Sequence, residues 1–366
     1  ILESIYQNAY KKDYCSPSGI KDLAILIAKK ESIGAYKILP QNVLIAPGLK
    51  QLLQDVQIAF GGPIVHIVPH WVSYSEQTNI HKKKTFQIYT KKNNQFRLTP
   101  TEVCEFIKAH PNLLHRTKLI IFNHPTNPTG VSYSDKQLLE LASVFKQYKF
   151  IVFAHEVYLG NTHNMQKHSI AKWLPEQTIR ASSLSKVFAL GGYRLGWAVF
   201  PNSLSTLQKA MYAIGTSSYT CASIPIQYAA IKAYENDHSD YINKSRNILK
   251  AVGNYVYENL KSNVVNIKKP EGGFYLLPEF ASAKFSSSSE MCKDILSKTG
   301  VALLPGSDFG FNKKKMLVRL SYTDFDGANF LKNTLGSKKL DYADLEKNAP
   351  NIVGGVKALK EWSKSL

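Results

Sequence analysis

The sequence predicts an α/β protein: a largely parallel sheet with helices on both faces, followed by a smaller α+β domain. Three observations carry this. Short apolar runs recur through the first two thirds of the chain, at 42–46, 64–68, 119–122, 150–154, 179–182 and 196–200. Helical spacing of apolar residues fills several of the gaps between them. The last third breaks into short strand-like pieces set between helices. A strand covered on both faces reads as a continuous apolar run, and strands alternating with helices imply a parallel sheet.

Each element has its own justification. Residues 42–46 are a strand ended by Pro47-Gly48. Leu49, Leu52, Leu53, Val56 and Phe60 then fall on one face of a helix. The strand at 119–122 runs into HPTNPTG. Ser134 with Gln137 three residues on is a capping box, and Leu138, Leu141, Ala142 and Phe145 form the buried face of the helix it opens. Residues 151–160 read IVFAHEVYLG, an apolar strand that turns polar at His155, Glu156 and Tyr158. Open α/β sheets bind ligands at the carboxyl ends of their strands, so His155 is a candidate site residue. In the last third, PEGGFYLLPEF (270–280), VALLPGSDFG (301–310) and MLVRLSY (316–322) are the strand-like pieces. Residues 281–290 read as a Ser-rich loop, and 335–351 as an irregular insertion before a final helix at 352–366. The division expected is a large domain over 14–222 and a small one over 223–366, with 1–13 added to the small one.

Composition narrows the function. With 366 residues, 44% hydrophobic and 20% charged, the chain has the profile of a globular protein large enough for two domains. No apolar run approaches the length of a membrane span. The first residues, ILESIYQNAYKKDYC, hold no apolar signal core, and a cytoplasmic setting is expected. Cys15, Cys104, Cys221 and Cys292 are scattered, so neither a disulfide framework nor a metal site is expected. The net charge of +19 raises a nucleic-acid partner, but the Lys11-Lys12, 82–84 and 313–315 runs are short and dispersed. They read as a solvated lysine-rich surface, with no nucleic-acid or membrane partner expected.

The chemistry centres on SSLSKVFALGGYRLGW, residues 182–197. A lysine at a strand end, Lys186, is placed to form a Schiff base with a carbonyl cofactor. Hydroxyl residues and Arg194 nearby suit a phosphate. This segment resembles the lysine motif of the class I and II aminotransferases, the fold-type-I enzymes dependent on pyridoxal 5′-phosphate. Further segments resemble that family in the same order: YCSPSG (14–19), PGLKQ (47–51), PHWVSY (69–74), NHPTNPTG (123–130), HEVY (155–158), PEGGFY, LLPGSDFG and VRLSY. The resemblance covers about residues 14–330.

It implies roles residue by residue. Lys186 is the Schiff-base lysine and then the base that moves a proton at the substrate. Gly48, Leu49 and Lys50 offer backbone N–H groups at a helix start to the phosphate, with Ser183 and Arg194 completing the cup. Trp71 stacks on the pyridine ring. Asn127 and Tyr158 bond the 3′-oxygen, Asn127 also reaches the substrate carboxylate, and the bond before Pro128 is cis. Arg319 clamps the α-carboxylate. Tyr14 reaches the phosphate of a neighbouring subunit, which implies a homodimer with shared sites. The substrates implied are amino acids and keto acids, exchanged in a ping-pong cycle.

Two departures stand out. His155 occupies the position where the family has an aspartate facing the pyridine nitrogen. That carboxylate contributes on the order of 5 kcal/mol at about 3 Å and an effective dielectric near 20, and a neutral imidazole supplies no such charge. The readings left open are an aminotransferase with a retuned cofactor, a pyridoxal-phosphate lyase, decarboxylase or oxidase, and a degenerate or engineered protein. A non-catalytic binding protein is the reading from another class. The second departure is that only thirteen residues precede Tyr14, so the expectation is either that substrate closure or subunit contact differs or that the sequence lacks residues upstream.

Overall fold

The computed structural model describes residues 1–34, 37–164, 168–334 and 340–366. Its main sheet has seven strands: β1 (Val43–Ala46), β2 (Ile64–Val68), β3 (Thr85–Tyr89), β4 (Lys118–Asn123), β5 (Phe150–His155), β6 (Thr178–Ser183) and β7 (Gly196–Val199). Their order is β1-β7-β6-β5-β4-β2-β3. Strands β2 to β6 pair in parallel, and β7 is antiparallel to both β1 and β6. A parallel pair needs a long crossover, whereas an antiparallel pair can be joined by a loop. The β6–β7 connection is such a loop, residues 184–195, and it carries Lys186 and Arg194.

Strand β3 was not expected from the sequence. It is an edge strand in which only Ile88 is buried, and it follows the 82–84 lysine run. A half-exposed edge strand bordered by lysines carries little apolar signal.

The strands divide their side chains between two layers. Leu119, Ile121 and Phe153 pack with the helix Leu49–Ala59. Ile120, Phe122, Val152 and Ala154 pack with the helix Asp135–Gln147. The latter starts at Ser134 as the capping box requires, with Gln137 N donating to Ser134 Oγ at 3.3 Å. Because side chains alternate along a strand, His155 falls on the same face as Phe153. That aims it at the layer of the Leu49–Ala59 helix. A separate cluster joins Leu23, Ile27, Val43, Ile45, Trp197, Ala230 and Ile231 on the other side of β1 and β7.

The C-terminal part has its own core around the long helix Ser239–Leu260 and the helices Ser288–Thr299 and Pro350–Ser363. Its small sheet sets Leu304–Pro305 against Val318–Ser321 and the latter against Tyr275–Leu276. Two expectations are corrected here. The Ser-rich stretch is a loop only in part: Ser287 Oγ accepts from Glu290 N at 3.2 Å and opens the Ser288–Thr299 helix. Residues 335–339 lie outside the described residues, but Tyr342–Asn348 is a helix and not an irregular insertion. Asp341 caps it, accepting from Asp344 N at 2.9 Å, and Pro350 then stands in the first turn of the final helix. No helix among the described residues is long and apolar enough to cross a membrane.

Candidate active site

The site lies at the carboxyl ends of β4, β5 and β6, where an open α/β sheet exposes its strand ends. A pocket of about 520 Å³ is lined there by Leu49, Lys50, Trp71, Asn127, His155, Val157, Tyr158, Ser183, Ser185, Lys186, Gly191, Arg194, Tyr275 and Arg319. Four of these are cationic, and no carboxylate is among the described lining residues. Such a pocket suits a ligand with more than one anionic group.

The end of β1 makes one wall. Gly48 turns the chain with φ +91° and starts the helix Leu49–Ala59. The first N–H groups of a helix have no intrahelical partner, and with the helix dipole they form an anion site. A Cβ built on Gly48 overlaps the Arg194 guanidinium, so the glycine lets the arginine close over the helix start. Arg194 is held in turn by donating from Nη1 to Gly191 O at 2.8 Å. Ser183 is buried at the end of β6, and its Oγ accepts from Ser185 N at 3.2 Å. Replacing Gly48 by alanine is expected to destabilise the fold by about 1–3 kcal/mol through backbone strain, with weaker binding of any phosphate ligand. Urea unfolding and a binding titration of the variant check both.

Asn123, at the end of β4, organises the next wall. Its Nδ2 donates to His155 O at 2.7 Å, and its Oδ1 accepts from Asn127 N at 2.7 Å. Asn127 is buried, precedes a cis Pro128, and accepts on Oδ1 from Arg319 Nη1 at 3.2 Å. The Arg319 guanidinium lies 4.5 Å from the Tyr275 ring centre and 5.1 Å from that of Phe309. Its Nε is buried with no partner among the described residues. Arg319 lines the pocket, and a guanidinium there can pair with a carboxylate. Tyr158 Oη donates to Tyr275 Oη at 3.2 Å.

His155 lies between Trp71 and Tyr74. Its ring is 5.9 Å from the Trp71 ring, and Tyr74 Oη is 2.5 Å from His155 Nδ1. Burial, with the Lys186 charge adding to it, pushes His155 down to about 3. Lys186 faces the pocket, and burial followed by the Arg319 and Arg194 charges holds its amine below the usual lysine range. A lysine so placed is more readily a free base, which both a nucleophile and a proton acceptor need.

Residues 6–330 match the family described as aminotransferase class I and II. The chain belongs to the class I and II aminotransferases. It is 30% identical over 324 residues to an aspartate aminotransferase of Bacillus subtilis (strain 168), covering 84% of this chain and 79% of that one. It is 28% identical over 326 residues to a probable aspartate/prephenate aminotransferase of Aquifex aeolicus (strain VF5), covering 85% and 79%. Among solved structures, an aromatic aminotransferase from Pyrococcus horikoshii OT3 superposes with TM-score 0.83 at 25% identity, covering 100% of this chain and 91% of that one.

Membership in the aminotransferases makes pyridoxal phosphate the cofactor. The residues present fit it: a helix start closed by Arg194 for the phosphate, an aromatic wall at Trp71, an amine at Lys186, and the Arg319 guanidinium for a carboxylate. The pocket brings together Leu49, Lys50, Trp71, Asn127, His155, Tyr158, Ser183, Lys186, Arg194 and Arg319, with Gly48 directly behind Arg194. Tyr14 is elsewhere, 86% exposed on the single chain. Sequence reasoning did not single out Asn123, Ser185, Tyr275 or Tyr74. Asn123 and Tyr275 lie inside segments quoted for the family resemblance, NHPTNPTG and PEGGFY. Tyr74 stands three residues after Trp71, the spacing that puts two residues on one side of a helical turn.

Proposed function

We propose that the aminotransferase moves the amino group of an α-amino acid through Lys186, with Arg319 holding the α-carboxylate. The observation that carries this is the shared pocket, which Lys186, Arg194 and Arg319 line together. Pyridoxal phosphate supplies an aldehyde carbon and an electron-accepting ring. The helix start at Leu49, Ser183 and Arg194 anchor its phosphate, and Trp71 covers the ring. Arg319 and Asn127 fix the substrate carboxylate, so that the Cα–H is presented to Lys186. Lys186 takes that proton and returns it one position along. When bound, pyridoxal phosphate would serve as the amino-group carrier between an amino acid and a keto acid, the exchange a ping-pong cycle requires.

The curated relatives are named for aspartate and prephenate, so these acids head the panel of donors and acceptors to test. Mixing protein, pyridoxal phosphate and each amino acid should convert the cofactor to its amine form, with a stoichiometric keto acid. Carbon dioxide or peroxide in its place would support the decarboxylase or oxidase reading. Arg319→Ala is expected to lower kcat/KM by about ten- to a hundredfold, from the loss of charge-assisted hydrogen bonds worth about 1.5–3 kcal/mol. Steady-state kinetics with KM and kcat separated check it. The exposed Tyr14 fits a role toward a second copy of the chain. Light scattering is expected to report a homodimer, and Tyr14→Phe to weaken cofactor binding without altering the fold.

A further inference from the structure

We infer that Tyr74 sets the tautomer of His155, so that His155 donates a hydrogen bond from Nε2 to the cofactor's ring nitrogen and that nitrogen carries no proton. This rests on the cofactor site proposed above. It goes further by assigning the protonation state of the ring and a positioning role to Tyr74.

The geometry comes from one short contact. Tyr74 is fully buried, and its hydroxyl meets His155 Nδ1 at 2.5 Å. No other hydrogen bond of that hydroxyl exists among the described residues, so its proton has a single place to go. Leaving a buried O–H without an acceptor costs about 1–3 kcal/mol, more than an idle lone pair does. Tyr74 therefore donates, and Nδ1 accepts. Burial raises the Tyr74 hydroxyl well above the usual tyrosine range, so it keeps this proton. A neutral imidazole has one N–H, and with Nδ1 accepting, that N–H is Nε2. The pull of burial and of Lys186 on His155, down to about 3, keeps the ring neutral at working pH.

The rest of the ring's surroundings leave Nε2 to the pocket. Nε2 has no protein partner among the described residues and is not among the buried orphaned atoms, while His155 lines the pocket. Asn123 engages only the His155 carbonyl. Trp71 is an apolar neighbour, and Lys186 is the cation nearest in influence. His66 and His70 lie behind Tyr74, with ring centres 6.4 Å and 5.8 Å from its ring, and both are held neutral by burial. No carboxylate lines the pocket among the described residues to place a charge opposite the ring nitrogen. A ring nitrogen that meets an N–H donor must accept, and so must be bare. The consequence is a weaker electron sink than a pyridinium, with proton removal at Cα relying more on the Lys186 base.

The test is ¹⁵N NMR of the full-length protein loaded with pyridoxal phosphate labelled at the ring nitrogen. Free cofactor at acid and alkaline pH calibrates the protonated and bare signals. The wild-type protein is expected to show the bare-nitrogen signal from pH 6 to 9, and His155→Asp the protonated one. Tyr74→Ala opens a space beside Nδ1 for water, which can accept from an Nδ1–H as the tyrosine hydroxyl cannot, so its signal is expected to move toward the protonated value. A merely structural role for Tyr74 would leave the signal where it was, and that result overturns the positioning role. A protonated signal in the wild type overturns the inference while leaving the cofactor site standing. Failure of borohydride to fix the label on Lys186 overturns the site and the inference together.

Discussion

Lys186→Ala is expected to lower the rate of amino-group exchange by about a hundred- to ten-thousandfold, the contribution of one positioned proton-transfer group. Loss of the covalent attachment adds to this. The fold should be unaffected. Lys186 is half-buried on the 184–195 loop, whose shape comes from backbone bonds: Leu184 N donates to Leu195 O at 3.2 Å, and Leu190 N to Leu184 O at 3.3 Å. Its charge is disfavoured by burial and by Arg319 and Arg194, so removing it relieves repulsion. Thermal unfolding of the variant should therefore match or exceed that of the parent. The decisive measurement pairs kinetics with borohydride fixation and peptide mass. The parent should carry the cofactor on the peptide containing Lys186, and the variant should carry none. A variant with parental turnover would falsify the assignment of Lys186. The same electrostatics predict that Arg319→Ala moves the Lys186 amine back up toward its ordinary range.

Much of this site was legible because its parts are local. The loop with Lys186 and Arg194, the glycine turn before the Leu49–Ala59 helix, and the Asn-Pro segment are each short stretches in which the residue types state their chemistry. The side of the sheet to which His155 belongs also follows from strand alternation alone. What was not legible depends on contacts between distant segments. Tyr74 and His155 are 81 positions apart, and nothing in either segment announces a 2.5 Å contact. Arg319 and Asn127 are 192 positions apart, and their mutual bond shows only when the C-terminal sheet is placed against the strand ends. Strand β3 was missed for a different reason: its side chains are half-exposed, so burial imposed no apolar pattern. The helix Tyr342–Asn348 was missed because its evidence is a capping aspartate and not a long apolar face.

The other large expected effect is on stability in acid. His66, His124 and His155 are pushed down to about 3 by burial, and His163 to about 4. In the unfolded chain a histidine takes up its proton near 6.5. Between about pH 6.5 and 4 the unfolded chain therefore binds protons that the native protein refuses, and native stability falls as pH falls. Each such histidine contributes about 1.4 kcal/mol per pH unit well inside that window. Two buried carboxyls act the other way. Asp55 is pushed up to about 6 by burial, and Glu31 is raised by burial despite its pairing with Arg180. Their native forms take up protons ahead of the unfolded chain, which offsets part of the loss as pH falls through the same range. His70 is lowered by burial as well, so five histidines against two carboxyls leave a net loss, and the +19 charge adds self-repulsion that grows as further groups protonate. The urea midpoint should hold roughly steady from pH 8 to 7 and then fall steeply below 6.5. His124 makes the cleanest probe, because its side chain is buried against Phe122 and Tyr133, does not line the pocket, and its Nδ1 has no partner among the described residues. His124→Asn removes one titrating group, so its stability–pH slope between 6 and 5 should be flatter by about 1.4 kcal/mol per unit, whatever its absolute stability. An unchanged slope would mean that His124 is not held neutral in the native protein. Because the comparison is of slopes, a uniform loss of stability that leaves the other histidines buried does not imitate the expected result.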